Sequence, residues 1–135
     1  MDKFYNQEYP ELISGFVLYP WPDSALSGNS RRDRRGLTAQ RRQAREIGYL
    51  ITKDSRRTVP AAPLALIYKI YPPDRRKHDD DNILTAFKST RDGIFQALGV
   101  DDSLVRYTEI RKYDKDDRFP AGAVLLNIRE LLTNE

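Results

Sequence analysis

The chain has 135 residues, which is enough for one compact domain and too few for two of ordinary size. It contains no cysteine, which excludes disulfide frameworks and thiolate metal sites, and one histidine, which excludes multi-histidine sites. No apolar run approaches the roughly 20 residues of a membrane helix, and the N-terminus lacks the apolar core of a secretion signal. We therefore expect a single cytoplasmic domain over residues 1–135 without a membrane partner, in which residues 1–15 form a flexible extension.

The net charge of +3 conceals an uneven distribution along the chain. Residues 31–57 carry ten basic and three acidic side chains, whereas residues 79–135 carry eight basic and twelve acidic ones. Nine of the ten bases are arginine, whose planar guanidinium suits bidentate phosphate contacts. The basic block predicts either a phosphate-binding surface for nucleic acid or a solvated segment without a ligand, and charge alone does not separate the two.

The first half of the chain predicts a strand, a loop and a helix. The strand begins at Phe16 and ends at the prolines by residue 22, and residues 23–36 form a loop rich in Ser, Gly, Asn and Arg. A helix is predicted over Thr38–Thr52 with Thr38 as its N-cap, because apolar residues recur there at helical spacing.

The second half predicts three strands and a longer helix. Leu64–Tyr71 is the clearest strand, and its nearly continuous apolar character predicts a central position in a sheet. A helix follows over Asn82–Leu98, closed by Gly99, and then two strands over Leu104–Tyr113 and Ala123–Ile128. The order β-α-β-α-β-β predicts an α/β (α+β) fold with helices packed on a small mixed sheet.

A run of aspartates follows the central strand. If its backbone is extended, Asp79 and Asp81 point to one side, and Asp102, just past the helix, is a candidate third carboxylate. Lys88 lies two helical turns along the same line as Asp81. Oxygen ligands without histidine or cysteine favour Mg²⁺, with Mn²⁺ as a possible substitute. Such a site beside a basic surface suits phosphodiester hydrolysis.

The same residues also have a purely structural interpretation. Acidic side chains stabilise a helix N-terminus through capping and the helix dipole, without any metal. Asp102 fits a turn, and Lys88 fits an ordinary helix surface. The residues by themselves leave both interpretations open.

The spacing of these residues resembles a known family. The segment Pro73–Asn82, then Lys88 and Asp92, then the aspartate pair after Gly99, is similar to the RusA family of Holliday junction resolvases carried by phages and prophages. The resemblance extends over residues 16–128 and includes the strand Val17–Pro22. The arginine-rich loop at residues 23–36 departs from the family pattern, as does the later position of the lysine.

The resemblance implies a homodimeric, magnesium-dependent endonuclease that nicks four-way DNA junctions symmetrically. Asp79, Asp81 and Asp102 match the family's catalytic metal ligands, and Lys88 matches its catalytic lysine. The expected DNA-binding residues are the basic ones in the arginine block and just before the aspartates: Arg31, Arg32, Arg34, Arg35, Arg41, Arg42, Arg75, Arg76 and Lys77. Two alternatives stay open: a structure-selective DNA-binding protein that does not cut, and a less selective nuclease for branched DNA.

Overall fold

The computed structural model describes residues 15–27 and 34–132, and in these residues two helices pack on a four-stranded mixed sheet. The elements, in chain order, are β1 (Val17–Pro20), α1 (Thr38–Ser55), β2 (Leu64–Tyr71), α2 (Asp80–Leu98), β3 (Val105–Lys112) and β4 (Ala123–Glu130). The α+β fold and the order of its elements are those that the sequence predicts. Neither helix in the described ranges combines the length and apolarity needed to cross a membrane.

Strand β2 holds the sheet together because it pairs along both of its edges. The strand order is β1-β4-β2-β3, with β2 antiparallel to β4 and parallel to β3. All of its residues except Lys69 are buried, as its apolar sequence predicts. Since parallel neighbours need a crossover connection, α2 must carry the chain from the end of β2 back to the start of β3.

Both helices cover the same face of the sheet. Tyr19 on β1 and Tyr68 on β2 meet the ring of Phe87 on α2 edge to face, at centroid distances of 6.0 and 5.8 Å. The Tyr19 hydroxyl shares a buried 2.7 Å hydrogen bond with the Thr52 hydroxyl of α1. Burial raises the pKa of Tyr19 to about 12, so this group stays protonated and able to bond across the neutral range.

The two helices touch at glycines that leave no room for a side chain. A Cβ placed at Gly93 of α2 would lie 1.9 Å from the carbonyl oxygen of Arg45, and one at Gly48 of α1 would lie 2.1 Å from that of Thr90. The backbones of α1 and α2 are therefore in direct contact, which brings both helices down onto the sheet.

The helix ends differ from the predicted ones. Thr38 is the first helical residue and not the N-cap, which is Leu37 without a side-chain cap bond. Helix α1 continues to Ser55, whose hydroxyl donates to the Thr52 carbonyl at 2.6 Å, and ends where Arg56 turns left-handed with φ 59°. Helix α2 starts at Asp80, because the Asp79 carbonyl already accepts from the Ile83 N–H at 3.1 Å.

The predicted loop at residues 23–36 is partly structured. Ser24–Leu26 and Arg34–Leu37 form short 3₁₀ turns, the first capped by the Asp23 carboxylate, which accepts from the Ala25 N–H at 2.9 Å. Residues 28–33 and the predicted extension, apart from Gly15, lie outside the described residues.

The close helix contact predicts a clear loss of stability for Gly93→Ala. Alanine normally favours a helix over glycine, but here its Cβ would meet the Arg45 carbonyl and push the helices apart. We expect the free energy of unfolding to fall by roughly 1–3 kcal/mol or more, measured by urea denaturation. The matched control is Gly36→Ala, since a Cβ there would meet nothing within 4 Å. Equal urea midpoints for the two variants would contradict the contact.

Candidate functional site

The link between β2 and α2 is organised around the carboxylate of Asp74. This carboxylate lies 2.9 Å from Nε2 of His78 and accepts from the backbone N–H of Arg76 at 3.0 Å and from its Nη2 at 3.1 Å. The hydrogen bond to His78, followed by those to Arg76, lowers the pKa of Asp74 from 3.8 to about 2. The aspartate thus stays ionised and holds the side chains of Arg76 and His78 at the link.

Two other basic side chains of the link, those of Arg75 and Lys77, have no partner among the described residues. Arg75 and Lys77 are exposed, and no described residue forms an ion pair or hydrogen bond with either side chain. They alternate with Arg76 and His78, which Asp74 holds. Of the three basic residues predicted here to contact DNA, two are therefore free to do so, while Arg76 is partly neutralised by Asp74.

Two cavities open on either side of this link. The outer cavity has a volume of about 600 Å³ and lies between Trp21 and Tyr113. The inner cavity has a volume of about 850 Å³ and reaches Asp79 and Asn82 at the start of α2. Six residues line both cavities: Trp21, Asp74, Arg76, Lys77, His78 and Ile83. The two cavities are therefore neighbours at this link.

The aspartate run is not extended throughout, which corrects the predicted alternation. Asp79 has extended backbone at the N-cap, with φ −78° and ψ 140°, whereas Asp80 and Asp81 belong to the first turn of α2. Asp80 forms an ion pair with Lys112 of β3 at 3.0 Å, and Lys112 also donates to the His78 carbonyl at 3.2 Å. Asp79 and Asp81 are exposed, and no described residue forms an ion pair with them.

The third predicted ligand, Asp102, lies at the other end of α2. Strands β2 and β3 run parallel, so Asp102, just before β3, lies at the end of the sheet where β2 begins. Asp79 lies past the other end of β2. The eight residues of β2 separate these two ends of the sheet by about 25 Å. Across the described ranges, no three acidic or histidine side chains are grouped so that they could hold a metal ion. Within one chain Asp102 therefore lies far from Asp79 and Asp81, and its role as a third metal ligand stays a prediction.

Asp102 and Lys88 each lie near an oppositely charged side chain of α2. Arg91 of α2 approaches Asp102 with 3.8 Å between Nη2 and Oδ2. Lys88 lies 3.7 Å from Asp92, one turn further along α2, and its side chain is 72% exposed. The helix face predicted to carry Lys88 and Asp92 is thus the polar one, opposite the buried Ile83, Phe87 and Ile94.

The arginine block has separable parts. On α1, Arg42 and Arg45 are exposed and Arg41 is half-buried. The predicted DNA contacts Arg31 and Arg32, and the side chains of Arg34 and Arg35, lie outside the described residues. Arg57 has a structural role instead, because its guanidinium donates to the Gly15 carbonyl at 2.7 Å and to Asn127 Oδ1 at 3.2 Å.

Sequence reasoning missed the contribution of β3 to this site. Tyr113 lies just past β3, donates its N–H to the Ile70 carbonyl at 3.0 Å, and lines the outer cavity with Lys112 and Lys115. Its ring stacks on Tyr71 at 4.8 Å with an interplanar angle of 8°. The sequence signal that could have revealed it is the strand-helix-strand order, because a helical crossover favours parallel strands, whose carboxyl ends meet at one end of the sheet.

Comparison with known proteins finds a similar sequence but assigns no function. The chain is similar to an uncharacterized protein of Xylella fastidiosa, with 38% identity over 90 residues. The match covers 64% of this chain and 59% of the relative, so the chain spans less than two thirds of that protein's length. No protein-family model matches the chain.

The Asp74 contacts predict the state of the lone histidine. A carboxylate acceptor fixes the proton of the neutral ring on Nε2, so ¹⁵N-resolved NMR near neutral pH should show one tautomer. In Asp74→Asn the tautomers should mix, because the charged acceptor is lost. In the wild-type protein the Asp74 carboxyl should titrate near pH 2, and the link should loosen as pH falls toward that value. A mixed tautomer in the wild-type protein would contradict this geometry.

Proposed function

We propose that the protein is a magnesium-dependent endonuclease of the RusA type that resolves four-way DNA junctions. One observation carries the proposal: Asp79 and Asp81, which have no cation partner among the described residues, follow the free cations Arg75 and Lys77 in the chain, and Asp79 lines a cavity together with Lys77. Exposed carboxylates next to a DNA-binding surface repel phosphate unless a cation lies between them. A purely structural helix cap requires neither the pair nor its basic neighbours.

The donor set fits magnesium better than other metals. Mg²⁺ is commonly held by one or two carboxylates, with water and substrate phosphate completing its shell. Asp79 and Asp81 supply such oxygens at the start of α2, while Asp80 is engaged by Lys112. When bound there, the metal would lower the pKa of a water molecule and offset charge on the phosphate.

Exposed basic residues would position the DNA. Arg75 and Lys77 are free to hold backbone phosphates, and Arg42, exposed on α1, is a further cation of the described surface. Phosphate contacts of this kind supply sequence-independent affinity and fix the register of the duplex. Recognition of a branched structure then depends on how these contacts are arranged in space.

A homodimer is part of the proposal, because Asp102 could share a site with Asp79 and Asp81 only across two chains. Asp102 lies about 25 Å from the Asp79 edge in the same chain. If Asp102 is also a ligand, it must come from a second copy of the chain. A two-fold dimer would then build two equivalent sites, as two symmetric nicks require. Lys88, exposed on the polar face of α2, would stabilise charge on the phosphate or leaving oxygen at such a site.

The first test is cleavage of a synthetic four-way junction and of a linear duplex of matched sequence. We expect paired nicks in the junction with Mg²⁺ and none with EDTA. Asp81→Asn should reduce cleavage by at least about 100-fold and leave junction affinity within about threefold, because binding depends mainly on the cations. Asp54→Asn is the matched control and should retain cleavage, since Asp54 is exposed near the end of α1 and lines neither cavity.

The same assay identifies the alternatives. Equal cutting of other branched substrates would indicate a less selective nuclease. Tight junction binding without nicking, in Mg²⁺ or Mn²⁺, would indicate a DNA-binding protein that does not cut. The absence of a three-carboxylate group within the described part of one chain is the observation that favours this second function.

The shared site predicts complementation between two inactive variants. Asp81→Asn and Asp102→Asn should each be inactive alone, whereas a mixture allowed to exchange subunits should nick one strand, because one heterodimer site keeps every aspartate. Asp101→Asn is the matched control, because asparagine can still accept from the Ser103 N–H that Asp101 caps at 2.8 Å. Full activity of Asp102→Asn alone would show that Asp79 and Asp81 act without it.

A further inference from the structure

Strand β3 forms the longer of the two outer edges of the sheet. In the strand order β1-β4-β2-β3, the outer strands of the described residues are β1 and β3. Strand β1 has four residues and ends at Pro20, whereas β3 has eight residues and no proline. Short length, prolines and bulges are the usual devices that keep an edge strand from pairing with another chain. On β3 the register shifts only at Arg106, so residues 107–113 form a regular edge that a partner strand can join.

The backbone of β3 presents hydrogen-bonding groups on this edge at every second residue. Tyr113 donates its N–H to the Ile70 carbonyl of β2 at 3.0 Å, so the odd-numbered residues of the regular edge bond to β2. The backbone N–H and C=O groups of Thr108, Ile110 and Lys112 therefore point away from the sheet, and no described residue bonds them. An antiparallel partner strand must oppose outward-pointing residues to outward-pointing residues.

One face of β3 has alternating aromatic and charged side chains. Glu109 shares this face with Tyr107 and Arg111, because its carboxylate accepts from the Tyr107 hydroxyl at 3.3 Å and from Arg111 Nε at 2.5 Å. Tyr113 continues the face, and its ring stacks on Tyr71 of β2. The order along the strand is thus aromatic, acidic, basic, aromatic. The tyrosines at its two ends are exposed, at 48% for Tyr107 and 41% for Tyr113.

This order is self-complementary about Ile110. If a second copy of β3 runs antiparallel with the two Ile110 residues opposed, Glu109 lies opposite the partner's Arg111 and Tyr107 lies opposite the partner's Tyr113. A two-fold axis repeats each pair, so the four charges alternate in sign around it. Ile110 is also the midpoint of the regular edge at residues 107–113.

The neighbouring registers lose this complementarity. An axis at Glu109 would oppose two carboxylates, and an axis at Arg111 would oppose two guanidinium groups. An axis at Thr108 would place Tyr107 opposite Glu109 and leave Arg111 opposite Val105. Like charges that lie directly opposite each other destabilise a strand pair, whereas opposite charges and aromatic pairs stabilise it. The charges of β3 therefore favour one register of self-pairing.

We infer that two copies of the chain associate through their β3 edges, antiparallel and with Ile110 on the two-fold axis, so that one sheet continues through both copies. The pairing itself rests on β3 alone, and its consequence for the site rests on the proposed function. The partner's β3 would begin at the end of the sheet where this β3 ends. The partner's Asp102 would then lie at the end of the sheet that carries Asp79 and Asp81.

Two charge variants of the full-length protein test the pairing. Glu109→Arg gives this face two positive charges and Arg111→Glu gives it two negative ones, so each variant should repel its own copy. An equimolar mixture restores opposite charges at every cross-strand pair. We expect sedimentation equilibrium to show a wild-type dimer, at least roughly tenfold weaker self-association of each variant, and recovery of the dimer in the mixture. Glu46→Arg is the matched control, because Glu46 is exposed on α1, away from β3.

A cysteine on the axis tests the register. The chain has no cysteine, so Ile110→Cys introduces a single thiol. Opposed Cα atoms of a hydrogen-bonded antiparallel pair lie about 5.5 Å apart, within the disulfide range. Mild oxidation should therefore link Ile110→Cys into a covalent dimer. Thr108→Cys is the matched control and should stay unlinked, because this register separates the two copies of residue 108 by about 13 Å along the strands. Thermal melting of each variant checks that the fold is intact.

A monomeric wild-type protein, a mixture of the charge variants that does not associate, or equal cross-linking of Thr108→Cys and Ile110→Cys would each overturn the inference. The junction assay reports on the nuclease separately. A dimer linked through β3 that cuts no DNA would retain the interface and reject the nuclease. Junction cleavage by a protein whose charge variants stay fully dimeric would retain the nuclease and reject this interface.

Discussion

The parallel pairing of β2 with β3 is the constraint on which the rest of the structure depends. Parallel neighbours cannot be joined by a tight turn, so the chain must cross the whole sheet through α2. That crossover fixes the aspartate run at one edge and Asp102 at the other. It also brings the end of β3, with Lys112 and Tyr113, beside the link that follows β2.

Two sets of contacts fix the position of α2: the close approach of α1, and the bonds of Lys112 at the start of α2. Gly48 and Gly93 let the backbones of α1 and α2 touch, so α2 sits at a fixed height above the sheet. The N-terminus of α2 is also attached to β3, because Lys112 pairs with Asp80 and donates to the His78 carbonyl. The exposed carboxylates of Asp79 and Asp81 are therefore presented from a rigid element, as a site that must position a phosphate requires.

Much of this arrangement could be predicted from residue patterns. The apolar run of β2 and the helical spacing of Ile83, Phe87 and Ile94 indicated their elements and buried faces, because burial imposes a periodicity on the residues themselves. The helix ends were predicted less well. The choice between Leu37 and Thr38 as N-cap, and the extension of α1 to Ser55, depend on local hydrogen bonds that composition does not specify.

The sequence by itself determined the elements, the α+β class, and the presence of an acidic run beside a basic link, since each depends on residues close together in the chain. Only the tertiary structure decided which of these residues meet. It separated Asp102 from Asp79 and Asp81, engaged Asp80 with Lys112, and tied Arg76 and His78 to Asp74. It also brought Trp21 and Tyr113 to one cavity. The reason is physical: strand direction and helix crossing set distances between residues remote in sequence, and no local pattern encodes them.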